Sequence, residues 1–252
     1  MLPTPSTSHV NYDQIYEPAE DSYLLLDTLS SPSETAFLRN HFPTGTNAPL
    51  LLEVGPGSGV VLAFVTANAE HIFGRTDVAA MGADVNMFAC RATAQTIKGA
   101  ILENKSKAGS FLDVISTDLT SSFVAGCVDV LIFNPPYVPT EELPPNPQEA
   151  VAGVSLNSHE AFERDSHLLA LSYAGGADGM ETTNRLLAQL PNVLSKRGIA
   201  YVLLCAQNKP KDVAARIGAW PGGWSVVLVG SSGKQAGWEK LCILRIRREQ
   251  RD

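Results

Sequence analysis

Cysteine is scarce in this chain of 252 residues: Cys90, Cys127, Cys205 and Cys242 are widely spread, with no Cys-x-x-Cys pair and no histidine at metal-ligand spacing. Neither a zinc site nor a disulfide framework is indicated, and no metal is expected; four small buried thiols in a reducing compartment fit the pattern. Basic charge is also short, with 19 Lys and Arg against 26 Asp and Glu, a net charge of −7. The longest basic cluster is Arg245-Ile246-Arg247-Arg248. Such a chain lacks the electrostatic footprint of a protein that grips duplex nucleic acid. No stretch approaches the roughly 20 apolar residues of a membrane span. The opening Met1-Leu2-Pro3-Thr4-Pro5-Ser6-Thr7-Ser8 has neither the basic nor the apolar region of a secretory leader. The expectation is a soluble intracellular protein without membrane contact, cytoplasmic or also nuclear.

What is present is enough apolar residue, 44% of the chain, to bury a full core. A Ser/Thr/Pro-rich tail, residues 1–11, is expected to be disordered, and residues 12–252 to form one domain. Short apolar runs at residues 50–54, 79–84, 112–116, 128–133 and 199–204 predict buried strands. Helical segments are expected at 60–70, 87–104 and 180–194. This alternation argues an α/β fold with a mostly parallel sheet covered on both faces. The runs at 224–229 and 241–246 are separated by a Gly/Ser-rich stretch with no room for a long helix, which predicts a reversed strand at one edge. Pro139, Pro144, Pro145 and Pro147 mark a long loop from about 138 to 167, and loops of that length are usually functional or disordered.

Asn134-Pro135-Pro136-Tyr137 follows directly on the fourth run. Its prolines fix φ and have no N–H to donate, so the tetrapeptide can present two acceptors, the Asn134 side-chain oxygen and the Pro135 carbonyl, on a backbone set in one shape. Two acceptors beside the aromatic face of Tyr137 suit a planar amino group. The nitrogen of an amide or an exocyclic amine shares its lone pair with a π system; hydrogen bonds from its two N–H groups would draw it toward tetrahedral geometry and free that pair. A Pro-Pro turn is also ordinary punctuation after a strand, so the upstream residues decide.

Glu53-Val54-Gly55-Pro56-Gly57-Ser58-Gly59 lies between the first strand and its helix, where glycines at alternate positions allow a sharp turn and close approach of a ligand. Its spacing differs from the dinucleotide Gly-x-Gly-x-x-Gly, and no Gly-Lys-Ser/Thr marks a phosphate-binding loop. Asp84 ends the second run, where a carboxylate can accept both ribose hydroxyls. Asp118 ends the third, where it can accept from an adenine amino group while Leu119 packs near the ring. A lone strand-end Asp is often only a cap or turn residue; two in succession after such a loop are more specific.

Together these segments resemble the successive motifs of class I S-adenosylmethionine-dependent methyltransferases, in the branch that methylates planar nitrogen. Tyr16-Glu17-Pro18-Ala19-Glu20-Asp21-Ser22-Tyr23-Leu24-Leu25-Leu26-Asp27, Tyr173-Ala174-Gly175-Gly176-Ala177-Asp178-Gly179 and Gln235-Ala236-Gly237 are similar to the eukaryotic HemK-like glutamine methyltransferases of the translation termination factor eRF1. The resemblance spans about residues 12–247. It implies a doubly wound, seven-stranded sheet and methylation of the side-chain amide of the glutamine in the Gly-Gly-Gln tip of eRF1, itself in complex with its GTPase partner. It implies S-adenosyl-L-methionine as cofactor and a small zinc-binding activator as heterodimer partner, docked at the second-strand and third-strand edge of the sheet. Cofactor binding by Tyr16, Glu20, Ser22, Glu53, Gly55, Gly57, Asp84, Asp118, Leu119 and Asn134 is implied in the same way. Tyr16, Glu20 and Ser22 would lie over the methionine portion and shut out water. Asn134, Pro135 and Tyr137 carry the catalytic role, and with Pro136 they bind the substrate. Two features depart from the family: the 138–167 loop is longer than usual, and Ser172-Tyr173 stands where Ala-Trp is common. Adenine N6 in DNA or RNA is the alternative acceptor, since the same clamp suits that amine; acidic charge argues against it.

Overall fold

The apolar run Leu50-Leu51-Leu52-Glu53-Val54 forms β1 (Leu50–Val54) at the middle of a seven-stranded sheet in the computed structural model, which describes residues 2–145, 158–233 and 240–249. The other strands are β2 (Ala79–Asp84), β3 (Ser110–Ser116), β4 (Val128–Phe133), β5 (Leu194–Cys205), β6 (Trp224–Ser231) and β7 (Leu241–Arg248), in the order β3-β2-β1-β4-β5-β7-β6. The strands β3 to β5 in that order pair in parallel, and β7 runs antiparallel to both β5 and β6. The expected reversed strand is therefore β7, one place in from the edge that β6 occupies. Strand order steps from β1 outward in two directions, to β2 on one side and to β4 on the other. Ligands of open α/β sheets bind in the crevice at such a point, beyond the carboxyl ends of the strands.

Alternating residues feed two cores, because successive strand side chains point to opposite faces. Leu51, Val130 and Ile132 pack with α1 (Glu20–Leu29), α2 (Pro32–His41), α3 (Val60–Ala67), α4 (Ala69–Phe73) and α5 (Met87–Glu103). Leu52, Leu131 and Phe133 pack with α7 (Glu181–Val193) and α8 (Pro210–Gly218) on the other face. Every residue of α3 is buried, which explains its continuous apolar sequence. A buried ion pair ties α2 to the far half of the sheet: Arg245 Nη1 donates to both Glu34 carboxylate oxygens at 2.8 Å, and the Tyr201 hydroxyl donates to Oε2 at 2.8 Å. Glu34→Ala strands that cation and is expected to lower the free energy of unfolding by about 3–5 kcal/mol. Urea denaturation checks it; a loss below about 1 kcal/mol would contradict the burial argument.

Two expectations need correction. Residues 2–11, expected to be a disordered tail, lie against the body: Leu2 packs on the core, Pro5 is buried, and His9 Nε2 is 3.2 Å from the Ala92 carbonyl of α5. A few anchoring contacts outweigh the polar composition. The long loop is shorter than expected, because α6 (Ser158–Tyr173) occupies its second half. Residues 146–157, with Pro147, lie outside the described residues, as do Gln235-Ala236-Gly237.

Candidate active site

The carboxyl ends of β1, β2, β3 and β4 open on one cavity of about 490 Å³. The glycine loop forms its floor, with Gly55, Gly57 and Gly59 at φ +64°, +54° and +79°. Gly59 also allows close packing: a Cβ there would sit 2.6 Å from Thr93 Cα in α5. The loop is tied to β2, since Gly57 N donates to Asp84 Oδ2 at 3.2 Å and Asn86 N donates to Oδ1 at 2.8 Å. Burial raises the Asp84 carboxyl to about 6, against the pull of those backbone N–H groups. Burial also holds Glu53 well above the usual carboxylate range, with the Asp84 charge adding to it and the Leu62 N–H opposing it. Glu53 Oε2 is buried and meets no hydrogen-bond partner in the protein.

Asp118 and Leu119 form the turn after β3. Leu119 is buried with φ +51°, a left-handed conformation that costs a branched L-residue and persists only where its surroundings impose it. Helix α7 imposes it: Arg185 pairs with Asp118, and Gln189 one turn later accepts from Thr120 N at 3.1 Å.

Asn134-Pro135-Pro136-Tyr137 leaves β4 under the first turn of α1. Asn134 Nδ2 donates to Asp21 Oδ2 at 3.0 Å, and the Tyr137 hydroxyl donates to the same oxygen at 3.4 Å. A carboxylate can only accept, so the carboxamide turns its NH₂ to Asp21 and its oxygen the other way. That oxygen, Asn134 Oδ1, is buried and has no partner in the protein. Behind the tetrapeptide, Asn208 Nδ2 donates to the Tyr137 carbonyl at 3.2 Å, to Asp178 O at 3.1 Å and to Gly179 O at 3.3 Å. The Gly175-Gly176-Ala177-Asp178-Gly179 segment is thereby drawn against the loop.

Most of the residues expected at the site line this cavity: Tyr16, Ser22, Glu53, Gly55, Gly57, Asp84, Asp118 and Leu119, and all of Asn134, Pro135, Pro136 and Tyr137. Glu20 does not. It falls on the solvent stripe of α1 with Tyr23 and Asp27, while Asp21, Ser22 and Leu25 face inward. Ser22 Oγ donates to Asp21 Oδ1 at 3.2 Å. Ser172 and Tyr173 also line the cavity, as do Leu143 and Leu168 from the segment after the tetrapeptide. Sequence reasoning missed Asp21, Gln14, Arg185 and Asn208. The i, i+4 pair Arg185 and Gln189 on one helix face was the only local signal among them. Gln14 lines the cavity and joins two of its walls: its carbonyl accepts from Asn86 Nδ2 at 2.9 Å, and its side chain donates to Asp165 of α6 at 3.1 Å.

These features fit S-adenosyl-L-methionine. A glycine-lined floor, a buried carboxylate at the end of β2 and an unpartnered carboxyl oxygen on Glu53 suit a ligand rich in hydroxyl and ammonium groups, and the turn at Leu119 offers an apolar wall.

No protein-family model matches the chain. It is 31% identical to the eRF1 methyltransferase catalytic subunit mtq2 of Schizosaccharomyces pombe, over 98% of this chain and 96% of that protein. It is 30% identical to the methyltransferase HEMK2 of Homo sapiens, over 96% of this chain and 95% of that protein. Among solved structures it is similar in fold to the E. cuniculi Mtq2–Trm112 complex responsible for methylation of eRF1, at a TM-score of 0.55 and 22% identity, covering 94% of this chain and 99% of that one.

Proposed function

Because this chain belongs to the family of eRF1 methyltransferase catalytic subunits, we propose that it transfers a methyl group from S-adenosyl-L-methionine to the side-chain amide nitrogen of the glutamine in the Gly-Gly-Gln tip of eRF1. One observation carries the reading: Asn134 Oδ1 is a buried acceptor with no partner in the protein, on a residue that lines the cofactor cavity. A buried acceptor is costly unless a ligand satisfies it, and an amide N–H is a fitting donor.

When bound, S-adenosyl-L-methionine would supply an electrophilic methyl group on a positively charged sulfur, its methyl–sulfur bond breaking to leave the neutral thioether S-adenosylhomocysteine. Asp84 would hold the ribose hydroxyls, Asp118 and Leu119 the adenine, and Tyr16, Ser22 and Glu53 the remainder. Asn134 Oδ1 and the Pro135 carbonyl accept the two N–H groups of the glutamine amide, and the Tyr137 ring stacks on its plane. This loosens the nitrogen lone pair from the amide π system and frees it for alkylation. The nitrogen becomes acidic as it is alkylated, so its spare proton leaves to water without a dedicated base. Orientation does most of the work; well-placed reactants contribute roughly 7–11 kcal/mol.

A small activator subunit, zinc-binding as the family resemblance implies, is proposed to dock on β3. This strand is at the sheet edge, and Leu112 on it and Val124 beyond it are 54% and 73% exposed. An added strand would satisfy the edge and cover those side chains. Cytoplasmic residence, and eRF1 bound to its GTPase partner as the working substrate, complete the proposal.

Asp84 makes cofactor binding pH-dependent. Its carboxyl titrates at about 6 in the free protein, and hydroxyl donors favour the ionised form. The contribution of Asp84 to S-adenosyl-L-methionine affinity is thus full above that pH and falls by up to about tenfold per unit below it. Calorimetric titration across the range checks this, and a flat affinity would count against Asp84 as the ribose acceptor.

The proposed reaction is tested with labelled S-adenosyl-L-methionine and the activator-bound enzyme. Label should enter eRF1 and spare both its tip Gln→Ala variant and oligonucleotides; label on an oligonucleotide would overturn the assignment in favour of adenine.

A further inference from the structure

Asp21 sits between two residues expected to serve the cofactor, but its own contacts lead to the acceptor side. It is 3% exposed. Oδ1 accepts from Ser22 N at 2.6 Å and Ser22 Oγ at 3.2 Å, and Oδ2 accepts from Asn134 Nδ2 at 3.0 Å and the Tyr137 hydroxyl at 3.4 Å. A buried carboxylate is costly unless so surrounded. Here the two donors on Oδ2 are both side chains of the tetrapeptide that is to hold the substrate.

We propose that Asp21 is a positioning residue for methyl transfer: it locks the Asn134 carboxamide with its oxygen facing the incoming amide and holds the Tyr137 ring beside it. This rests on the reading of Asn134 as the amide acceptor. The need is chemical. An asparagine has nearly the same shape with its oxygen and nitrogen exchanged. In the exchanged orientation Nδ2 would face the substrate N–H groups, donor against donor, and the lone pair would not be freed. A neutral partner able both to donate and to accept could tolerate either orientation; a carboxylate tolerates one. The chain of control runs from the Ser22 backbone N–H through Asp21 to Asn134 and then to the substrate. No proton moves along it, because Nδ2 keeps its hydrogens and both Asp21 oxygens are already occupied by donors.

Asp21→Asn preserves shape and removes that discrimination. With its oxygen retained on Ser22 N, the new amide turns its NH₂ toward Asn134 and drives the exchanged orientation. We expect kcat to fall by about 10²-fold, with KM for eRF1, affinity for S-adenosyl-L-methionine and melting temperature little changed. The decisive variant exchanges the two side chains, Asp21→Asn with Asn134→Asp. It restores one donor at position 21 and an acceptor-only group at position 134, and should be at least about tenfold more active than Asp21→Asn alone. A merely structural role predicts no such rescue.

A second readout needs no substrate. In the side-chain amide NMR spectrum of the activator-bound enzyme, the Asn134 pair, identified by its loss in Asn134→Ala, should exchange slowly with solvent and shift in Asp21→Asn. If wild type fails to methylate eRF1, the proposed reaction falls while the spectrum still judges Asp21. Near-normal turnover in Asp21→Asn, no rescue in the exchanged variant, or an Asn134 resonance indifferent to Asp21→Asn would overturn the positioning role.

Discussion

Asn134→Ala is expected to lower kcat for eRF1 methylation by about 10²-fold or more, while affinity for S-adenosyl-L-methionine changes far less. The side chain contributes an acceptor whose value appears when the amide nitrogen pyramidalises, so its loss falls on the transition state rather than on the ground-state complex. Removing it also leaves Asp21 with one fewer donor in a buried position, so some stability should be lost as well. Single-turnover rates beside calorimetric cofactor affinity separate the two effects. A variant with near-normal turnover, or one whose whole deficit lies in cofactor affinity, contradicts the role given to Oδ1.

Gly179→Ala is expected to damage both fold and reaction from behind the site. Its φ is +66°, and a Cβ there would lie 2.0 Å from the Tyr137 carbonyl oxygen and 2.8 Å from its carbon. A left-handed alanine costs about 1–2 kcal/mol, and forcing the Tyr137 backbone aside adds about 1–3 kcal/mol. The displaced loop is the one that presents Asn134 and Pro135, and misplacement of about 1 Å can cost about 10²-fold in rate. Gly45→Ala provides the control. That glycine has φ +86° with nothing within 4 Å of its Cβ position, so it should show the conformational cost alone and unchanged turnover. If both variants unfold alike and kcat is normal in Gly179→Ala, the packed glycine segment has no bearing on the site.

The sheet was legible to the extent that its strands are buried on both faces. The runs at 50–54, 79–84 and 128–133 coincide with β1, β2 and β4, because parallel strands covered by helices read as unbroken apolar segments. Strand β5 extends to Leu194 ahead of the run that marked it, through Ser195, Lys196 and Arg197, where polar side chains find partners such as Asp129 at 2.7–2.9 Å. Helix α6 was hidden by the prolines before it and by a weakly patterned surface face. The cofactor residues were legible because they follow strands in a fixed order, so spacing along the chain reports position in the crevice. Asp21 was not, since its partner Asn134 is 113 residues away. The resemblance implies a cofactor role for Glu20, but a carboxylate in a helical first turn gives no sign in sequence of which way it faces, and Glu20 lies on the exposed stripe with Tyr23 and Asp27.

The central claim is that the buried oxygen of Asn134 holds a glutamine amide for methylation. Its most direct test is to identify the acceptor atom in eRF1 treated with the activator-bound enzyme and S-adenosyl-L-methionine. Tandem mass spectrometry should place a single methyl group on the tip glutamine, and acid hydrolysis of that peptide should release methylamine, the product expected of a methylated side-chain amide. A methyl group on a lysine, on another residue or on nucleic acid, with the tip glutamine unmodified, would contradict it.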